Sequence, residues 1–142
     1  MDDKWRDLPA GRALDALVAD RVMGYPDVGW YIRESPHTVT WVPSEPGAKI
    51  KEPPFWESGL YYHSLPTLKW SVPKFSTVFT DALKVIELFE ESNIDWILAG
   101  AGGQVTCHFK DVSWYDEDAA LAICKAALMF LEKYPRPEEG EG

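Results

Sequence analysis

Apolar positions along the chain follow two periods. From Leu8 to Met23, Leu14, Leu17, Val18 and Val22 recur at the spacing of an amphipathic helix. Asp7 is placed to cap its start, Pro9 is tolerated in a first turn, and Gly24 suits the residue just past the end. Arg12, Asp15 and Asp20 fall on the side expected to face water. A second helix is predicted from Ser76 or Thr77, with Phe79, Leu83, Ile86 and Phe89 as its stripe, widened by Val78, Ala82 and Val85. Ser92 and Asn93 end it. A third helix is predicted to start near Asp116, where the run Asp116-Glu117-Asp118 suits the positive end of a helix dipole. Its stripe is Ala119, Ala120, Ile123, Cys124, Ala127, Leu128 and Leu131, and Pro135 stops it.

Prolines from Pro26 to Pro73 exclude long helices between the first two. Trp30-Tyr31-Ile32 and Thr38 to Val42 read as strands, Tyr61-Tyr62 as a further short strand, and Ser44 to Glu57 as a loop. Trp96 to Ala99 and Gln104 to Lys110 form a hairpin around the turn Gly100-Ala101-Gly102-Gly103. In the second of these strands Val105, Cys107 and Phe109 alternate with Thr106, His108 and Lys110, the period of a half-buried strand. The order predicts an α+β layered domain with a small, at least partly antiparallel sheet.

Composition narrows the class. A chain of 142 residues fits one domain, placed at 1–134, with a disordered acidic tail at 135–142. Fourteen Lys and Arg against 23 Asp and Glu give a net charge of −9, a poor match for nucleic acid. No apolar run is long enough for a membrane span. The start Met1-Asp2-Asp3-Lys4-Trp5 lacks the pattern of a signal peptide, so a cytoplasmic protein is expected. Cys107 and Cys124 read as buried free thiols, with a disulfide or a metal ligand as the other readings.

Three stretches carry a family likeness. They are Ala13 to Tyr25, Pro73-Lys74-Phe75-Ser76-Thr77, and Ala119 to Leu128. In this order they resemble the phage ABA sandwich domain family, small proteins of phages and prophages. The resemblance runs from about residue 8 to residue 133, with no matching motif in 26–72. It implies a three-layer α/β/α sandwich and a host-cell cytoplasmic location, and it implies no reaction. One position departs: the family usually has Asp after the Ser-Thr pair, where this chain has Val78, with Asp81 three places on.

Candidate chemistry is sparse. His37, His63 and His108 lack the spacing of a metal site, and no cofactor or catalytic residue is assigned. The Gly100 to Gly103 run precedes a strand, not the helix that a phosphate loop requires. Seven tryptophans are the unusual feature, and Trp56, Tyr61, Tyr62 and Trp70 cluster in the proline-rich flap of residues 53–75. Aromatic residues on loops either roof a sheet or form a contact surface. As a contact surface, they would take His63, Lys69, Lys74 and the helix start at Ser76-Thr77 as polar anchors. The expected function is a non-enzymatic accessory protein binding a small molecule or a host protein; a nucleotide-derived signal is one concrete ligand. The alternatives are a structural phage protein assembling as a homo-oligomer, and a hydrolase using Asp and His.

Overall fold

The computed structural model describes residues 3–35, 38–43, 59–65 and 68–135. Trp56, the loop predicted at Ser44 to Glu57, and the tail beyond Pro135 lie outside the described residues.

The first helical segment is shorter and more broken than its periodicity predicts. A 3-10 turn covers Asp3–Asp7, α1 covers Arg12–Leu17, and a π-helical turn, Val18–Val22, continues it. Asp7 therefore belongs to the preceding turn, and the helix starts after Gly11. The π register shows in the Met23 N–H, which donates to the Val18 carbonyl at 2.9 Å. Gly24, with φ of 69°, ends the segment as expected.

Among the described residues, two antiparallel sheets follow where the sequence pattern predicts one. In the first, β1 (Gly29–Ser35), β2 (Thr38–Pro43), β3 (Gly59–Leu65) and β4 (Leu68–Ser71) lie in the order β2-β1-β3-β4. Strand β4 was not predicted, because four residues in a proline-rich flap show no period. The second sheet has the order β5-β6-β7, from β5 (Trp96–Ala101), β6 (Gln104–Phe109) and β7 (Val112–Asp116). Gly102 and Gly103, with φ of 62° and 83°, form the tight turn between β5 and β6. Positive φ at both central residues matches the strand twist, and glycine adopts it without steric cost. Strand β7 occupies residues to which the sequence pattern assigns no element, up to the predicted start of the third helix near Asp116.

Helix α2 covers Phe79–Glu91 and α3 covers Ala119–Lys133. The buried side of α2 is Ala82, Val85, Ile86 and Phe89, while Phe79 and Val78 are exposed, so the stripe is rotated from its predicted centre. Helix α3 is capped by Asp118, whose side chain accepts from the Ala120 N–H. It packs against β6, β7, α2 and the π-helical turn. Buried residues therefore run almost all round it, and its alanines allow close approach. The α+β class holds, with a helical layer on the inner face of the second sheet. Cys107 and Cys124 are buried free thiols, and burial pushes the Cys107 thiol up to about 12.

Asp15 overturns the expectation of a wet helix face. Its side chain is fully buried among Leu14, Ala16 and Leu17. One carboxylate oxygen, Oδ1, accepts from the Ser76 N–H at 2.8 Å and the Ser76 hydroxyl at 2.7 Å. The other, Oδ2, accepts from the Arg12 guanidinium at 2.8 Å. That hydroxyl also accepts from the Gly11 N–H at 2.9 Å. Arg12 reaches on to the carbonyls of Val72 and Pro73, at 2.7 and 3.3 Å. One carboxylate thus fastens α1 to the segment between β4 and α2. A buried charge persists only where such partners exist.

Removing one partner of this network should leave the others desolvated and unpaired. Asp15→Ala is expected to lower stability by about 3–5 kcal/mol, and Ser76→Ala by about 1–3 kcal/mol. Urea unfolding followed by circular dichroism measures both. A loss under 1 kcal/mol for Asp15→Ala would mean the network is incidental.

Candidate functional site

Period-two alternation sorts the first sheet. Trp30 and Leu60 are directly paired and both buried, and the Val72 N–H donates to the Leu60 carbonyl. The next residue of β3 on the same face is Tyr62, paired with Trp70 of β4. Tyr62 is half-buried and stacks on Tyr25, with centroids 4.2 Å apart and planes 20° from parallel. Tyr25 in turn meets the fully buried Phe75 at 6.2 Å. The aromatic set Phe75, Tyr25, Tyr62 and Trp70 therefore leads from core to surface, ending at Trp70, which is 51% exposed on an edge strand.

Around this row the predicted anchors separate. His63 and Lys69 are register partners one position beyond the Tyr62–Trp70 pair. Tyr61 is half-buried and, by alternation, belongs to the opposite face of β3. Lys74 is exposed, and its backbone N–H donates to Asp81 Oδ2 at 2.8 Å. Thr77 is exposed as well.

Ser76 does not serve a helix start. Helix α2 begins at Phe79 with Val78 as its N-cap and no side-chain cap. Ser76 lies three residues earlier, buried, with its N–H and hydroxyl held by Asp15. Asp81 in the first turn adds negative charge where an anion would sit. The reading of Ser76-Thr77 as a helix start is corrected accordingly.

Tyr25, which closes the first stretch of the family likeness, belongs to this row although it is not among the site residues expected from the sequence. Burial raises its hydroxyl above the ordinary tyrosine value, and Tyr62 and Asp81 push in the same direction. It stays a neutral donor across the physiological range. Its position after Gly24, at the end of the helical segment, was the available signal. Among the described residues no group of three His, Cys, Asp or Glu is placed to hold a metal ion. No described helix is long and apolar enough to cross a membrane.

A second perturbed group went unnoticed in the sequence. Lys125 is buried on α3, and its ammonium donates to the carbonyls of Trp5 and Arg6 at the end of the 3-10 turn. It lies 5.8 Å from the Trp5 ring centroid and 5.7 Å from that of Trp114. Desolvation drives its pKa down to about 8, against the opposing pull of Asp7 and Asp116. The signal was a single charge inside the run Ala119 to Leu131. With its protons engaged by backbone, Lys125 fastens the N-terminal turn to α3.

A family model described as the Phage ABA sandwich domain matches residues 16–128. No curated protein and no solved structure matches the chain.

Lys125 makes a signed pH prediction. Between about 8 and its ordinary value of 10.5, the folded chain has released a proton that the unfolded chain keeps. Stability contributed by this group therefore rises with pH across that window, and the gain is lost as pH falls through about 8. The stability difference, wild type minus Lys125→Met, should grow from neutral pH to about pH 10 in urea titrations. A flat difference would refute the assignment.

Proposed function

Because the chain belongs to the phage ABA sandwich domain family, and is in that sense phage-associated, we propose that it is a non-enzymatic accessory protein acting by binding. It takes a small planar ligand, or the aromatic side chain of a host protein, on the face of the first sheet that carries Tyr62 and Trp70. The carrying observation is the aromatic row that begins in the core at Phe75 and ends at half-exposed Trp70. Rings fixed from behind by packing lose little entropy when a ligand stacks on them. Exposed Lys74, four residues on from Trp70 and next to Phe75, supplies positive charge on an otherwise acidic chain, while His63 and Lys69 fall by alternation on the opposite face of the strand pair from Tyr62 and Trp70. A nucleotide-derived signal, with a planar base and an anionic tail, combines both features. The role differs from catalysis in needing no general base or nucleophile.

The test begins with the protein as purified. Mass spectrometry of the supernatant released by heat is expected to reveal a planar, anionic molecule near stoichiometric amount. Adenosine monophosphate and a pooled nucleotide mixture serve as added probes, followed by tryptophan fluorescence and calorimetry. Trp70→Ala should weaken any binding by about tenfold or more, the worth of one stacking contact. Its melting temperature should stay near the wild-type value, since Trp70 is largely outside the core. No released ligand and no response to the probes would remove the small-molecule form of the reading. A Trp70→Ala chain that unfolds would make the row core alone.

A further inference from the structure

Strand β5 is an edge strand, and its sequence Trp96-Ile97-Leu98-Ala99-Gly100-Ala101 holds no charge and no proline. Edge strands that stay solitary usually carry one or the other, or a bulge. The register of β5 with β6 is regular over all six pairs, so no bulge turns this edge away. Backbone phase follows from one bond: the Lys110 N–H donates to the Asp95 carbonyl at 2.8 Å. Residues 97, 99 and 101 therefore direct their N–H and C=O groups to β6. Trp96, Leu98 and Gly100 direct theirs to the open edge, where no described residue pairs with them. Large apolar groups lie exposed on it: Trp96 is 38% and Ile97 61% exposed.

We propose that this edge binds a second copy of the chain, β5 pairing antiparallel with the copy's β5 about a two-fold axis through Leu98. The proposal uses other residues than the aromatic row and does not rest on it. Three observations favour a copy over any other occupant. First, the outward groups recur at 96, 98 and 100, so they match themselves when the strand is reversed about 98. Second, side-chain size falls along the strand. Reversal sets Trp96 against Gly100 of the copy and Ile97 against Ala99 of the copy, large against small on both faces. Gly100 has no internal reason to be glycine: a Cβ there would meet only Gln104 O at 3.7 Å and Val105 Cγ2 at 3.9 Å, ordinary contacts. Third, the chain carries a net charge of −9, so two copies repel over most surfaces. Across this strand no like charges face each other. A six-residue edge alone is smaller than the roughly 800 Å² per partner of a stable interface. The dimer is accordingly weak, in the micromolar range, and strengthens as salt screens the repulsion.

Sedimentation equilibrium of the full chain, from low micromolar to submillimolar concentration, tests this. The expected result is a monomer–dimer equilibrium that shifts toward dimer with added sodium chloride. Ala99→Lys, at a position exposed in the monomer, should weaken the dimer at least about tenfold with an unchanged melting curve. Gly100→Val fills the slot for the copy's Trp96 and should do the same, while its higher strand propensity keeps the monomer folded. Residue-resolved hydrogen exchange should show the amides of Trp96, Leu98 and Gly100 gaining protection as concentration rises. A monomer at every concentration overturns the proposal. So does dimerisation of both variants at wild-type strength, or full protection of those three amides in dilute monomer, which would mean another part of the chain covers the edge.

Discussion

A buried carboxylate organises this fold. Asp15 has no access to water, so its charge persists only through donors supplied by the protein itself. Two come from Ser76 and one from Arg12, and Arg12 carries the connection on to the carbonyls of Val72 and Pro73. Residues about 60 positions apart in the chain are thereby fixed to each other by hydrogen bonds, whose geometry is directional. Apolar packing could hold the same segments together, but without setting their orientation as narrowly.

That fixation has a consequence for the aromatic row. Phe75 precedes Ser76, and Tyr25 follows the helical segment that contains Asp15. Holding Ser76 against Asp15 places Phe75 in the core and keeps Tyr25 at the mouth of it. Tyr62 stacks on Tyr25, and Trp70 stands beside Tyr62 across the strand pair. A polar network too buried to meet a ligand thus supports the aromatic residues proposed to do so. Lys125 acts in a parallel way at the other end of the chain, joining the carbonyls of the first 3-10 turn to α3 under a roof of Trp5 and Trp114.

The two sheets differ in how they present themselves. The first offers rings backed by a packed core. The second has α3 on one side, leaves Ile97 and Tyr115 exposed, and has no described residue paired with its β5 edge. Ring stacking suits a planar ligand, whereas unpaired backbone groups suit another strand. The proposed ligand recognition and the proposed self-association therefore call on different physical interactions and different residues.

The amino-acid pattern by itself determined the three helical regions, the α+β class, the β5–β6 hairpin with its glycine turn, and the buried thiols. Each is local, set by a period, a cap or a turn residue within a few positions. Family likeness was legible for a related reason, since its motifs are the apolar stripes and helix ends. Only the tertiary structure decided the rest. It divided the strands into two sheets, because which edges pair depends on partners far apart in sequence. It rotated the stripe of α2, because what a helix buries is set by the neighbours it meets. It took Asp15 out of water, where the helix pattern had placed it, and it buried Ser76 and Lys125, which no local pattern marks as buried. A charged side chain reads as exposed until the distant groups that satisfy it are known, and those groups are brought near it by folding alone.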